Sequence, residues 1–138
     1  MDYRIDLDPT HSVIRLTVTA ETMTLELGED AYVRLTRIAS RGGPYAAIFD
    51  LSEVKRSSIP AEAIRDFAHR APAVPEGRAR VEVAKEPSVY GLARMLQLYR
   101  DSMGGQFHVV HSLEEAYDIL GVRPEDFTQR LFPKKLAA

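Results

Sequence analysis

Tyr90 and Arg94 stand one helical turn apart in the stretch "EPSVYGLARMLQLY", with Gly91 between them. That spacing sets a phenol and a guanidinium on one helix face, a pair suited to an anionic or aromatic ligand. A glycine inside a helix costs roughly 1 kcal/mol against alanine, so Gly91 calls for close packing or for something that approaches its backbone. The plainer account of the trio is helix-sheet contact at Gly91, with Arg94 bridging to an acidic neighbour. A second polar set, Asp50, Ser52, Lys85, Glu86 and Ser88, follows two predicted strands. Ligand crevices of open α/β sheets lie beyond the carboxyl ends of parallel strands. Ordinary turn bonding by aspartate and serine is the simpler explanation of this set. Neither set holds a nucleophile and a base at a defined spacing, so an enzyme ranks below a binding module.

Ser57 and Ser58 precede a helix that Pro60 opens. A serine there is ordinarily an N-cap, worth ~1 kcal/mol, and Ser58 is preferred over Ser57 for that role. Phosphorylation of Ser57 or Ser58 is the alternative, because a helix start favours a phosphate. His108 and His111 lie three apart on a predicted strand and face opposite sides, while His11 and His69 are single, so no metal site is expected. Asp6 and Asp8 share a strand face beside a turn, where carboxylates are commonly solvated. The stripe of Met95, Leu96, Tyr99 and Met103 is ordinarily core. A cavity of about 300 Å³ or more beneath it would instead make it a ligand wall.

These residues are positioned by a regular order of elements. Tyr3 to Leu7 and Ser12 to Thr19 alternate at the strand period around the turn "DPTHS", which predicts an antiparallel hairpin. "ETMTLELG" has both alternation and a cap at Thr24, so its type stays open. Glu29 to Ser40 reads as a helix stopped by Gly42-Gly43-Pro44. Tyr45 to Leu51 reads as a central strand covered on both faces. Further helices start at Pro60, Pro87 and Ser112, separated by the strands "ARVEVAKEP" and "QFHVVH". Gly104-Gly105 closes the third helix, and Ser112 with Glu115 makes a capping box for the fourth. Pro124 to Leu131 reads as a last short helix. The expected fold is α/β, one mixed and mostly parallel sheet of about five strands with four to five flanking helices.

Composition narrows the function classes. Eighteen basic residues oppose twenty acidic ones, and the basic residues are scattered, which argues against nucleic acid as a partner. The chain has no cysteine, so disulfides and thiolate zinc sites are excluded and a reducing, cytoplasmic location is expected. No stretch approaches the ~18 apolar residues of a membrane span, and the charged start "MDYRIDLDPTHS" lacks a signal peptide's apolar run. No cofactor motif is present.

The strand end "IFDLSEV", with "EPSVYGLARMLQLY" and "VVHSLEEAYDILG" at these distances, resembles the SpoIIAA-like, STAS/SEC14-type domain family. The resemblance covers residues 1–122, leaving 123–138 as a short helical extension and tail. It implies a non-catalytic regulatory or binding module acting through a protein partner or a small ligand. Separately from the resemblance, the hairpin edge and the extension are the two places where a homodimer could form. A carrier that holds a small apolar or anionic molecule between the third helix and the sheet is the alternative. In the family's antagonists the phosphoacceptor serine sits in a "DSSG" beginning eight residues after the "DLS" aspartate. Counted from Asp50, those positions hold Ser58, Ile59, Pro60 and Ala61, so the acceptor itself is replaced by isoleucine.

Overall fold

The computed structural model describes residues 2–73, 78–101 and 106–134. The hairpin forms as expected from β1 (Tyr3–Asp8) and β2 (Val13–Val18), paired antiparallel from Tyr3 with Val18 to Asp8 with Val13. Asp8 makes the turn: its Oδ1 accepts from the amides of Thr10 and His11 at 2.9 and 3.0 Å. The open stretch "ETMTLELG" divides. Thr22–Met23 forms a short β3, and Thr24 caps α1 (Leu25–Ser40), its hydroxyl accepting from the Leu27 amide at 3.1 Å. The helix therefore starts four residues before the expected Glu29, because a satisfied cap outweighs the strand-like alternation.

Next come β4 (Ala46–Asp50), β5 (Arg56–Ser57) and α2 (Ala61–His69), followed by β6 (Arg80–Val83), α3 (Pro87–Asp101), β7 (Phe107–Val110) and α4 (Leu113–Leu120). Short β3 and β5 pair parallel in a sheet of their own. This pairing corrects the reading of the serine pair. Ser57 belongs to β5, and its hydroxyl accepts from the Ile59 amide at 3.1 Å, while the Ser58 hydroxyl reaches the Met23 carbonyl at 3.5 Å. The N-cap of α2 is Pro60, with no side-chain cap. A strand pair holds the chain extended through Ser57, so neither serine reaches the helix amides.

The α4 capping box is present: Ser112 Oγ accepts from the Glu115 amide at 3.2 Å and Glu115 Oε2 from the Ser112 amide at 3.0 Å. Gly121 closes the helix in the left-handed conformation at φ 65°, where a Cβ would be strained. The expected last helix is a correction. Only Pro124–Asp126 turns, as one turn of 3-10 helix, and Gln129–Phe132 runs on as β8. A helix would set Phe127 and Leu131 on one side, whereas the extended chain lets Phe132 stack on Tyr3 at 5.0 Å and Arg130 reach Asp6.

The main sheet is mixed and six-stranded, in the order β7-β6-β4-β2-β1-β8, one strand more than expected because of β8. Neighbours β2-β4, β4-β6 and β6-β7 are parallel, and β1 is antiparallel to both β2 and β8. The outer edge of the hairpin is thus already occupied by the chain's own β8. Successive residues of the central strands enter different cores. Val13, Ala46, Ile48, Val81 and Val83 pack with Ala116 and Tyr117 of α4 on one face. Ile5, Ile14 and Leu16 pack with Leu27, Ala31 and Leu35 of α1 and Val89 of α3 on the other. Among the described residues no helix is long and apolar enough to cross a membrane.

Candidate ligand pocket

The α1, α2 and α3 side of the sheet does not close completely. A cavity of about 190 Å³ lies between the sheet and these helices. Its floor is Leu16, Phe49, Arg80, Glu82 and Phe107, one residue type in two along β2, β4, β6 and β7. Ala31, Tyr32 and Leu35 of α1 form one wall, and Ile64 and Phe67 of α2 another. Val89, Leu92, Ala93, Leu96 and Arg100 of α3 complete it. The volume falls short of the roughly 300 Å³ set above for a ligand wall, but an apolar lining with few polar groups is the composition of a small-molecule site.

The walls are tied together by bonds that leave the interior apolar. Arg70 donates to both carboxylate oxygens of Glu29 at 2.8 and 2.7 Å, joining the end of α2 to α1, and its guanidinium lies 4.5 Å from the Phe67 ring centre. That pairing holds the Glu29 carboxyl below its ordinary value. Tyr32 Oη donates to the Ala71 carbonyl at 2.6 Å, and its ring meets Phe67 edge to face at 6.2 Å. Arg100 donates to the Phe67 carbonyl at 3.0 Å, so α3 holds α2 as well.

Three charged side chains stand at the inner end. Arg80 and Arg100 are buried, at 7% and 9% exposure, and the Arg80 guanidinium lies 5.4 Å from the Phe107 ring centre. Between the valines of β6, Glu82 points to the pocket face, and its Oε2 is out of reach of solvent without a hydrogen-bond partner. Burial pushes the Glu82 carboxyl up to about 7, against the opposing attraction of Arg80 and Arg100. This is the strongest departure from ordinary behaviour among the described acids, and it occurs at the pocket.

Most residues singled out from sequence lie elsewhere. Asp50 is buried on the same side of β4 as Ile48, away from the pocket, and its Oδ1 accepts from the Ser52 amide at 3.0 Å. Lys85 and Ser88 are exposed, and Glu86 lends its carbonyl to the Tyr90 amide. The trio of α3 also separates. Tyr90 stacks on His111, ring centres 4.1 Å apart and 7° from parallel, while Arg94 bonds the Gln97 side chain instead of an acid. Gly91 is exposed, and a Cβ added there would meet nothing within 4 Å, which corrects the expectation of close helix-sheet contact. Only Ser57 of the proposed site residues lines the pocket. Of the Met95, Leu96, Tyr99 and Met103 stripe, Leu96 does so, and Met103 with Gly104-Gly105 lies outside the described residues.

Two further expectations change. Asp6 and Asp8 are buried, not solvated. Asp6 is met by Arg130 at 2.6 Å, Arg15 at 3.5 Å and Arg4 at 3.6 Å. His11 is not isolated either, since its Nδ1 lies 2.7 Å from Asp8 Oδ2 and 3.9 Å from Asp126. The ligand atoms of Asp8, His11 and Asp126 lie within 4.8 Å of one another, but Asp8 is engaged by two backbone amides and the imidazole, and Asp126 caps the Arg123 amide. These bonds make the cluster a lock on the hairpin turn.

Sequence reasoning missed Arg80, Glu82 and Arg100. The signal was present in "ARVEV": alternation that puts Arg80 and Glu82 on one face of a strand whose central place in the sheet requires both faces to be covered. Arg100 is one residue beyond Tyr99, on the helix face directed at α2. Compared with protein-family models, with curated proteins and with solved structures, the chain finds no match.

Proposed function

We propose that this chain is a non-catalytic binding module of the SpoIIAA-like STAS type that holds one small, largely apolar molecule between α3 and the sheet. The observation that carries the reading is the cavity itself, a cleft between α1, α2, α3 and the sheet, with Glu82, Arg80 and Arg100 at its inner end. At about 190 Å³ it is below the ordinary range for drug-sized ligands but comparable with apolar cavities that take up benzene. The "DLS" turn at Asp50 and the capped "SLEEAYDIL" helix support the family assignment, and the replaced acceptor position favours regulation by ligand over regulation by serine phosphate.

Toluene is a suitable first probe because it fills such a volume without a polar group. Thermal unfolding should shift upward by several degrees as toluene approaches saturation, as binding to the folded state alone requires. Ala93 lines the cavity and is 4% exposed. Ala93→Leu should fill the space and abolish the toluene shift while the protein still unfolds cooperatively. A folded wild-type protein that toluene leaves unshifted would remove the support for a pocket.

A further inference from the structure

Glu82 sits between Val81 and Val83 on β6, an inner strand whose neighbours are β4 and β7. The two valines face α4, whereas Glu82 lines the cleft and remains half-buried, so the surface it keeps borders the cleft. Its Oε2 is closed off by the protein and has no hydrogen-bond partner. The side chain therefore depends on the cleft for its hydration. Few ionisable groups face it. β6 itself adds Arg80, α3 adds Arg100 and α1 adds the Tyr32 phenol, while β2, β4, β7 and α2 present Leu16, Phe49, Phe107, Ile64 and Phe67. Arginine stays charged and a phenol stays neutral through the middle of the pH range. Glu82 is thus the one side chain of the described lining that changes charge there.

Building on the pocket reading above, we infer that an apolar molecule entering the cleft makes Glu82 take up a proton, so that the module holds its ligand more tightly in mild acid than in mild alkali. An apolar occupant displaces the water of the cleft and offers no hydrogen bond in its place. Losing that water costs a carboxylate far more than a carboxylic acid, so occupation favours the protonated form. The attraction of Arg80 and Arg100 opposes this, and it strengthens as water leaves. Burial already outweighs both arginines in the folded chain, where it raises the Glu82 carboxyl to about 7, and further dehydration acts in the same direction. Linkage is reciprocal: whatever factor the ligand adds to proton affinity, the proton adds to ligand affinity. Occupancy of the cleft thereby follows pH near neutrality.

Toluene titrated by calorimetry into wild type and Glu82→Gln, from about pH 5 to about pH 8 and in buffers of low and high ionisation enthalpy, tests this. For a roughly tenfold linkage, wild-type affinity should fall about fivefold over that interval. Binding near pH 7.5 should take up about half a proton, read from the dependence of the heat on the buffer. Glu82→Gln keeps the shape of the side chain and a neutral head, so it should match the wild type's affinity in acid at every pH and take up no proton. A wild-type affinity that is flat or rises with pH overturns the inference and leaves the pocket standing. Binding without proton uptake does the same, as does a decline that Glu82→Gln retains. The proton count is taken on wild type alone, so it decides even where the variant does not fold. Toluene that fails to bind at any pH overturns the pocket reading, and the inference falls with it.

Discussion

Burial of the Glu82 carboxyl makes the stability of the fold depend on pH. The carboxyl has an ordinary value of 4.5 and is raised to about 7 in the folded chain, so the folded state holds a proton that the unfolded state gives up between those values. Stability contributed by this group is complete below pH 4.5, declines as pH rises towards 7, and is gone above it. The full difference is roughly 3 kcal/mol at most. Glu82→Gln removes the titration, and its denaturant midpoint should lose most of the decline that wild type shows between pH 5 and 8. At pH 8 the variant should be the more stable of the two. A wild-type midpoint that is flat over this interval, or a decline that Glu82→Gln retains, would place the raised carboxyl elsewhere.

At the scale of single elements, local signals separate well from distant ones. The α4 helix is written almost entirely in its own sequence: Ser112 and Glu115 bond each other's amides, and Gly121 takes the positive φ that ends it. Ser112→Ala should cost about 1 kcal/mol in equilibrium unfolding, with toluene affinity unchanged because α4 lies on the other face of the sheet. The hairpin turn and the strand β4 were legible for similar reasons, through "DPTHS" and an apolar run of strand length. Elements whose form depends on remote partners were not. Gln129–Phe132 has no strong strand pattern of its own and becomes β8 because β1 offers an open edge and Asp6 draws Arg130. Ser57 and Ser58 lose the capping role for the same kind of reason, since β3 pairs with β5 and fixes the chain there. The pocket residues fall into this class too. By its alternation with Val81 and Val83, Glu82 stands on the polar side of its strand, and only the packing of three helices onto that side makes it a pocket residue.

Across the whole molecule the two sheet faces divide the work of stability and binding. The α4 face is filled by Val13, Ile48, Val81 and Val83, all at 0% exposure, and contains the shared aliphatic core. Ile48→Ala there should cost about 2–5 kcal/mol. Because its side chain points away from the pocket, toluene affinity measured on the folded fraction should hold within about twofold of wild type. The sheet is also closed by strands from opposite ends of the described chain. Arg130 Nε lies 2.6 Å from Asp6 Oδ1 across 124 positions of sequence, and Ile5 pairs with Phe132. On a ribosome this ordering becomes a matter of time. β1 emerges before the other strands of its sheet, yet its outer edge can be sealed only after residues 129–132 have followed, so a nascent chain carries an open edge while the segments between them are made. Docking of β8 then belongs to the last stage of folding, and Arg130→Ala should speed unfolding in stopped-flow experiments while leaving the refolding rate nearly unchanged. Within this sheet, the strand made first is the last to be protected.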